Sequence, residues 1–300
     1  MDHGFGDIML AYPAAARENV ARVVALARRA RVTIGLDGVA AAGQLDGQLA
    51  DAGLMLDYLL IIDCGLHRFG VQPDQAAELA ISLASFSRLR FKGIATHAGQ
   101  VYGATSEAEV EKVASQEVAC LAQAKTVLNR QGFEVATVAT GSTPTARQVS
   151  AAGVATVLRP GNYVFYDNIQ VALGVVQPAR CSLTVLATVL SRPRPDLFII
   201  DAGSKCLGLD KGAHGNALLP GFGMVKGHPE LLVAALSEEV GKVEILAETT
   251  LQVGDKIQII PNHACSAANL TNYLIGHRDG VVVSTIPIDM RGGSRCRQQG

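Results

Sequence analysis

The sequence predicts an α/β protein in which a parallel β/α barrel sheet is followed by a mostly antiparallel β domain. Short apolar runs alternate with amphipathic helical stretches up to about residue 178, and this alternation is typical of βα units. After Pro178, strands follow one another without helices of comparable length. Polar residues come directly after several predicted strands, which is where a parallel β/α barrel carries its chemistry.

The first domain, predicted for residues 1–178, combines short apolar strands with helices whose apolar residues recur at helical spacing. Val20, Val23, Val24 and Leu26, for example, form an apolar stripe on the first predicted helix. The predicted strands are Asp7–Ala11, Val32–Leu36, Tyr58–Asp63, Phe91–Thr96, Glu134–Ala139 and Thr156–Arg159. The predicted helices are Ala14–Ala30, Ala40–Ala52, Gln75–Arg88, Ser106–Gln131 and Thr143–Ser150.

The second domain, predicted for residues 179–300, is rich in β-forming residues, with Gly, Pro and Asp between the runs. Its predicted strands are Cys181–Ser191, Leu197–Ala202, Gly241–Leu246, Lys256–Ile260 and Gly280–Ile286. Because parallel pairing needs a long crossover connection, strands in such close succession favour antiparallel pairing.

Composition indicates a globular chain and gives no sign of a nucleic-acid or membrane partner. The 300 residues are 49% hydrophobic and 18% charged, with a formal net charge of −1. The longest apolar runs, such as Leu231–Leu236, fall far short of the roughly 20 residues that span a bilayer, and the first residues do not resemble a signal peptide. The six cysteines are scattered, so a reducing cytoplasm is expected rather than a disulfide framework.

Four polar segments follow predicted strands, and this recurrence is the main physical reason to expect an active site. They are Asp63–Arg68, Thr96–Gly99, Gly141–Thr143 and Arg159–Tyr163.

The segment Gly141-Ser142-Thr143-Pro144-Thr145 has the residue types of a phosphate-binding loop. Glycine allows close approach of the backbone to a ligand, and hydroxyls and helix N-terminal N–H groups bind phosphate. An ordinary helix N-cap by Ser142 or Thr143 is the alternative. Gly161 in the next loop offers a second backbone contact to the same phosphate, or else a simple Pro-Gly turn.

Two cations stand in strand-end loops. Arg68 follows a very apolar strand and could hold an anionic oxygen, with a surface ion pair as the alternative. Lys205, after the strand Leu197–Ile200, could form a salt bridge, contact a substrate or act as an amine nucleophile.

His263 and Cys265 are two residues apart after an apolar strand. In an extended loop, residues at this spacing point the same way, and an imidazole with a thiolate suits Zn²⁺ or a similar metal. Two ligands are too few for a closed structural site, so water or substrate would complete the coordination. A packed histidine beside a buried cysteine is the alternative.

Taken together, these segments resemble the D-threonine aldolase and D-serine dehydratase family of fold-type III pyridoxal phosphate enzymes. The resemblance runs over nearly the whole chain, and the last segment is specific to this family within the larger alanine racemase-like fold. The matching segments are GFGDIMLAYP (Gly4–Pro13), IDCGLHRFGV (Ile62–Val71), THAGQVYG (Thr96–Gly103), TGSTPT (Thr140–Thr145), LRPGNYVFYD (Leu158–Asp167), IIDAGSKCL (Ile199–Leu207), KGHPE with LSEE (Lys226–Glu239) and PNHACSAANL (Pro261–Leu270).

The resemblance implies an alanine racemase-like (β/α)8 barrel followed by a β domain, and it implies roles for individual residues. Arg68 would face the phenolic oxygen of pyridoxal 5′-phosphate, and Tyr102 would lie near the pyridine nitrogen. His263 and Cys265 would bind the divalent metal, Zn²⁺ or Mn²⁺. The phosphate would be held by Gly141, Ser142, Thr143, Gly161 and Asn162.

The function implied is a metal-assisted lyase acting on D-β-hydroxy amino acids. The cofactor would act as electron sink, and the metal would bind the substrate's β-hydroxyl as a Lewis acid. Loss of hydroxide gives a dehydratase, whereas cleavage of the Cα–Cβ bond gives an aldolase, and the sequence does not decide between them. A racemase would not need the metal pair. A homodimer is compatible with the resemblance.

The Schiff-base lysine of this family is absent from the chain as given. In the family it lies on the first barrel strand, upstream of the segment matching Gly4–Pro13, so about two of the eight βα units are expected to be missing. Such a barrel would have open edges, and we expect the chain to be impaired and unstable without a partner. None of the lysines lies in the family's Schiff-base context: Lys92, Lys112, Lys125, Lys205, Lys211, Lys226, Lys242 and Lys256.

Two other hypotheses remain open at this point. The chain is a catalytically inactive remnant that at most binds pyridoxal phosphate or metal, or it is a structural zinc module built on His263 and Cys265. The second is the weaker, because no third and fourth ligand lie near this pair in the sequence.

Overall fold

The computed structural model describes residues 4–212, 215–289 and 291, and the chain divides into two compact units. The first unit contains residues 1–101 and 108–160, and the second contains residues 102–107 and 161–300. The predicted boundary at residue 178 falls inside the second unit, and a division at that residue stays a prediction. Cys296 lies outside the described residues, and the other five cysteines are free.

A six-stranded parallel sheet, with its strands in sequence order, forms the frame of the first unit. Its strands are β1 (Asp7–Leu10), β2 (Arg31–Leu36), β3 (Leu56–Ile61), β4 (Leu89–Ala95), β5 (Thr137–Thr140) and β6 (Val157–Leu158). The helices between them are α1 (Arg17–Ala27), α2 (Val39–Ala52), α3 (Ala76–Leu83), α4 (Glu107–Arg130) and α5 (Ala146–Ala151). The predicted β/α part of the fold is thereby confirmed.

The core of the first unit lies where the helices pack on the sheet. All six residues of β3 are buried, as expected for a parallel strand that is covered on both faces. Leu45 and Leu49 of α2 are fully buried, and so is Val20 of α1. The helical stripes in the sequence therefore mark the sheet-facing sides of these helices.

Gly93 marks a close approach between β4 and β5. Its φ is +148°, and a Cβ atom there would lie 1.9 Å from the carbonyl oxygen of Thr137. Only glycine fits this position, because any side chain would meet the neighbouring backbone.

The second unit contains a closed barrel of six antiparallel strands and a separate hairpin. The barrel strands are β7 (Val185–Arg194), β8 (Leu197–Ile200), β9 (Met224–Val225), β10 (Leu231–Leu236), β11 (Gly241–Ile245) and β12 (Lys256–Ile260), and the hairpin strands are β13 (Tyr273–Arg278) and β14 (Val281–Pro287). Around the barrel the strands follow the order β10-β11-β8-β7-β12-β9. Three short helices complete the unit: α6 (Asn168–Ala172), α7 (Ser204–Leu207) and α8 (Ala264–Asn269). Phe198, Val233, Val243 and Ile259 are fully buried inside. The predicted antiparallel domain is confirmed.

Two local predictions were wrong. The helix predicted from Thr143 begins only at Ala146, because the residue before a proline, here Thr143, is disfavoured in the α conformation. The predicted extended loop at His263 and Cys265 is instead the start of α8, with His263 as N-cap and Cys265 in the first turn. In addition, no described helix combines the length and the apolar character that a membrane-spanning segment needs.

Candidate active site

The loops after β3, β4, β5 and β6 are linked by hydrogen bonds at the carboxyl edge of the sheet. The Thr96 hydroxyl donates to the carbonyl oxygen of Ile62 at 2.7 Å, and His97 Nδ1 lies 2.8 Å from the carbonyl oxygen of Gly141. Arg159 donates to the carbonyl oxygen of Thr96. The strand-end segments that the sequence singles out in the first unit are therefore adjacent in space.

The segment from Gly141 to Thr145 is buried throughout and does not cap the helix that follows. The N-cap of α5 is Thr145, and it makes no side-chain capping hydrogen bond. The Ser142 hydroxyl lies 3.0 Å from the Thr145 hydroxyl. The alternative that Ser142 or Thr143 serves as a helix cap is therefore wrong.

Two buried polar atoms beside this loop have no hydrogen-bond partner among the described residues: Thr143 Oγ1 and Arg159 Nε. Gly141, with φ +135°, brings the loop so close to the next one that a Cβ atom would lie 3.0 Å from the Arg159 nitrogen. Unpaired buried donors cost free energy unless a ligand satisfies them. A hydroxyl donor and a guanidinium donor fit a phosphate group, so this loop could hold one.

Glu117 is a fully buried carboxyl in the same unit. The Thr140 hydroxyl donates to it, and burial raises the pKa of Glu117 while hydrogen bonds from Thr140 and Thr145 oppose that rise. Burial also lowers the pKa of Arg159, and Glu117 opposes that shift electrostatically. The carboxyl therefore contacts Thr140 and Thr145, which lie on either side of residues 141–144 of the loop.

Asp63 organises the loop that carries Arg68. It accepts hydrogen bonds from the Gly65 N–H at 2.9 Å, the His67 N–H at 3.0 Å and His67 Nδ1 at 2.8 Å. Burial favours the protonated form of Asp63, but these bonds outweigh it and lower the pKa. His67 adopts φ +56°, an uncommon conformation for a non-glycine residue.

Arg68 is exposed, and its guanidinium lies 5.7 Å from the centre of the Phe69 ring. Phe69 in turn stacks on Tyr12, with 6.4 Å between ring centres. Arg68 forms no ion pair with any residue of the described ranges, so the surface ion pair considered for it is not present there. The cation therefore lies within cation–π distance of the neighbouring Phe69 ring.

In the second unit, Tyr102 and Asn162 are held by other polar side chains. The Tyr102 hydroxyl accepts from Gln170 Nε2 at 3.3 Å. Asn162 is buried and donates through Nδ2 to Asp167 Oδ2 at 2.6 Å, whereas its Oδ1 has no partner among the described residues. The Asn162 amide nitrogen therefore faces Asp167, and Gly161 beside it is exposed.

His263 and Cys265 lie at the start of α8 with polar neighbours. His263 Nδ1 is 3.1 Å from the Ser266 hydroxyl and 3.7 Å from Asp210 Oδ2. Cys265 Sγ is 4.0 Å from Asn162 Nδ2, and burial raises the pKa of the Cys265 thiol. Residues 4–212, 215–289 and 291 contain no group of three or more His, Cys, Asp and Glu side chains arranged to hold a metal.

The chemistry of this donor pair fits an open metal site. With Nδ1 of His263 facing Ser266 and Asp210, the Nε2 atom is left as the ligand, which is the usual arrangement of a metal-binding histidine. A thiolate from Cys265 would be the second protein ligand, and the remaining positions would be taken by water or substrate.

Lys205 forms an ion pair with Glu239 on the surface of the second unit. The hydrogen bond with Glu239 raises the pKa of Lys205. Of the three roles that the sequence leaves open for Lys205, the structure shows the salt bridge.

Two buried carboxylates near the candidate residues, Glu117 and Asp167, were missed by the sequence prediction. Glu117 could have been found, because it interrupts a helical stripe of small and apolar residues that includes Ala114 and Leu121. Asp167 offers only the local pattern of a helix N-cap, which does not reveal its bond to Ala264, 97 residues away in the sequence.

Comparison with known protein families shows to which family the chain belongs. Residues 7–168 match the family described as alanine racemase, N-terminal domain, and residues 182–276 match the putative serine dehydratase domain. The chain is 30% identical to the D-threonine aldolase of Arthrobacter sp. over 299 residues, which cover 97% of this chain and 76% of that protein. It belongs to the D-threonine aldolase and D-serine dehydratase family. The predicted family is confirmed.

Other members of this family show the same relationship. The D-serine dehydratase of Dictyostelium discoideum is 31% identical over 75% of this chain, and the match spans 62% of the dehydratase. The solved structure of D-threo-3-hydroxyaspartate dehydratase from Delftia sp. HT23 has a TM-score of 0.86 at 28% identity, covering 96% of this chain and 80% of that one.

Two variant structures of that dehydratase are also similar, each with a TM-score of 0.86 and 27% identity. They cover 96% and 95% of this chain, and 80% and 77% of the dehydratase chains. One has alanine in place of a cysteine and is in a metal-free form, and the other has alanine in place of a histidine two positions earlier. These relatives are named as aldolases and dehydratases of D-amino acids, so the family is one of D-amino acid lyases.

Proposed function

We propose that this chain belongs to a pyridoxal phosphate-dependent, divalent metal-assisted lyase acting on D-β-hydroxy amino acids. The observation that carries the proposal is the spacing of His263 and Cys265. A histidine and a cysteine at the same spacing are replaced in the variants of D-threo-3-hydroxyaspartate dehydratase, and the cysteine variant is metal-free. An enzyme that only racemises its substrate would not need such a pair.

We infer that Gly141, Ser142 and Thr143 hold the cofactor phosphate, and the part that the resemblance assigns to Gly161 and Asn162 stays a prediction. The unpaired Thr143 hydroxyl supports this, because a buried donor of this kind needs an acceptor. When bound, pyridoxal phosphate supplies an electron sink for negative charge on the substrate's α-carbon.

Arg68 and Tyr102 are proposed to contact the pyridine ring. The planar guanidinium of Arg68 would donate a hydrogen bond to the phenolic oxygen of the ring. The Tyr102 hydroxyl accepts a hydrogen bond from Gln170 at 3.3 Å, and the resemblance to the family assigns it a position near the ring nitrogen.

His263 and Cys265 are proposed to bind Zn²⁺ or Mn²⁺, which would act as a Lewis acid on the substrate's β-hydroxyl. Asp210 and Ser266 would orient the His263 ring through Nδ1. Departure of the β-hydroxyl would make the enzyme a dehydratase, and removal of its proton followed by Cα–Cβ cleavage would make it an aldolase.

A second candidate is a protein that binds pyridoxal phosphate and metal without turnover. It is favoured by Lys205, whose amine is ion-paired with Glu239 and has a raised pKa, so it is a poor nucleophile.

Turnover assays separate the two candidates. The chain with pyridoxal phosphate and Zn²⁺ is incubated with D-threonine, D-serine and D-threo-3-hydroxyaspartate, with the L-isomers as controls, and glycine, ammonia and keto acid are measured. Cleavage of a D-isomer that is lost with EDTA and in His263→Ala supports the lyase. Binding of cofactor and metal without product supports the second candidate. Equal cleavage of L-isomers contradicts both.

The cytoplasmic location and the homodimer stay predictions. The free state of the five described cysteines is compatible with a reducing compartment. Light scattering of the purified chain measures its oligomeric state, and a strictly monomeric mass would contradict the homodimer.

A further inference from the structure

Asp167 is a fully buried carboxylate that ends the loop after β6 and begins α6. Its Oδ2 accepts from Asn162 Nδ2 at 2.6 Å and from the backbone N–H of Ala264 at 2.8 Å. Its Oδ1 accepts from the Gln170 N–H at 3.3 Å. Three hydrogen bonds, from two backbone N–H groups and the Asn162 amide, fix this buried side chain in place.

The Ala264 N–H lies between the two proposed metal ligands. It belongs to the residue that joins His263 to Cys265, so the bond from Asp167 fixes the backbone from which both ligand side chains project. The Asn162 amide has a second contact at Cys265 Sγ, 4.0 Å away. Asp167 therefore reaches the ligand pair by two routes, one through the backbone and one through Asn162.

The bond between Asp167 and Asn162 also fixes which way the Asn162 amide points. If the amide were flipped, its oxygen would face the carboxylate, and two acceptors at hydrogen-bond distance repel. Only the observed orientation directs an N–H group toward the sulfur of Cys265. A hydrogen-bond donor at the sulfur stabilises the thiolate, which is the form that binds metal.

We propose that Asp167 is a positioning residue of the metal site, acting through the Ala264 N–H and through the Asn162 amide. The inference rests on the proposed function, because it takes His263 and Cys265 as the metal ligands. Since the backbone of Asn162 is also assigned to the phosphate, Asp167 links the two subsites within the second unit. Metal and pyridoxal phosphate then strengthen each other's binding, and this coupling is reciprocal.

The test compares Asp167→Asn with wild type in the full chain. Zn²⁺ affinity is measured without cofactor, by competition with a chromophoric chelator. Replacement of a partner that orients metal ligands lowers metal affinity by about 10- to 100-fold, and that loss is expected here. In addition, Zn²⁺ should tighten pyridoxal phosphate binding in wild type and not in the variant.

Asp57→Asn is the matched control. Asp57 is a buried carboxylate that pairs with Arg90 at 2.8 Å in the first unit. Its replacement is expected to lower stability without changing Zn²⁺ affinity, so a loss of affinity in Asp167→Asn alone separates positioning from general destabilisation.

If Asp167→Asn does not fold, Asn162→Ala tests the second route, because the Asp167–Ala264 bond remains. That variant should weaken Zn²⁺ and shift the thiolate-to-metal band of bound Co²⁺ to lower energy.

Each outcome decides between the inference and the function on which it rests. The inference would be overturned if wild-type Zn²⁺ binding needs both His263 and Cys265 but the Zn²⁺ affinity of Asp167→Asn stays within about 3-fold of wild type. An unshifted Co²⁺ band in Asn162→Ala would overturn it in the same way. Wild-type Zn²⁺ binding that is unchanged in His263→Ala and Cys265→Ala would instead overturn the proposed function.

Discussion

Replacing Thr143 by valine should have opposite effects on stability and on phosphate binding. The side chain is buried, and its hydroxyl has no partner among the described residues. A buried unsatisfied hydroxyl costs about 1–3 kcal/mol, and valine removes the hydroxyl while nearly keeping the shape. The free energy of unfolding without ligand should therefore stay equal or rise by about 1 kcal/mol.

The same change should weaken pyridoxal phosphate if Thr143 donates to the phosphate. A hydrogen bond to a charged group contributes about 1.5–3 kcal/mol, which corresponds to a dissociation constant about 10- to 100-fold larger. Spectroscopic titration with pyridoxal phosphate measures this change. Pyridoxal, which lacks the phosphate, is the control ligand, and its affinity should not change.

Thr145→Val is the matched control variant for this experiment. Its hydroxyl has a partner, the Ser142 hydroxyl at 3.0 Å, so valine here should lower stability by about 1–3 kcal/mol and affect cofactor affinity less. If Thr143→Val loses stability and binds pyridoxal phosphate as wild type does, the assignment of this hydroxyl to the phosphate is refuted.

Three further predictions follow from the first unit and from the lysines. Burial raises the pKa of Glu117 above its ordinary value of 4.5, so the folded chain favours the protonated side chain. The contribution of Glu117 to the free energy of unfolding is therefore fully present below about pH 4.5 and is lost as pH rises through the raised pKa. Urea unfolding from about pH 4 to 8 should show wild type losing stability relative to Glu117→Gln with rising pH, and the opposite slope would contradict this. Gly93→Ala should destabilise the chain by more than about 2 kcal/mol in thermal unfolding, because the added Cβ atom would overlap the Thr137 carbonyl. Gly103→Ala is the control and should be nearly neutral, because a Cβ atom there meets open space. Borohydride reduction with pyridoxal phosphate should give no stoichiometric lysine adduct by peptide mass spectrometry, and an adduct at Lys205 would show that its ion pair does not prevent reaction.

The order of elements in the first unit could be predicted because each has a local signal. The apolar run within the predicted strand Tyr58–Asp63 marks a strand buried on both faces, and the spacing of Val20, Val23 and Val24 marks the sheet-facing side of α1. The position of polar residues after these strands then follows from the rule that parallel strands end at one edge.

The barrel in the second unit could be predicted only in part. Strand β9 has two residues, and the closure of the barrel depends on its pairing with both β10 and β12. No local pattern specifies a two-residue strand. The run Leu231–Leu236 is apolar in the sequence, but the alternation of buried and half-buried residues over its first four positions becomes clear only in the sheet.

The conformation of the proposed metal pair depends on contacts that are distant in sequence. Asp167 accepts the Ala264 N–H across 97 residues, and this bond holds the first turn of α8. The sequence identifies His263 and Cys265 as a pair, but not the helix start on which they lie or the buried carboxylate that fixes them.

The most direct test of the account is titration of the chain with Co²⁺, followed by the thiolate-to-cobalt charge-transfer band. The account predicts one equivalent of Co²⁺, a band that disappears in Cys265→Ala, and a much weaker affinity in His263→Ala. Cys206→Ala is the control, because its sulfur donates to the Gly203 carbonyl at 3.2 Å and should not bind metal. A band that persists in Cys265→Ala, or the absence of any band in wild type, would contradict the metal site on which the proposed lyase depends.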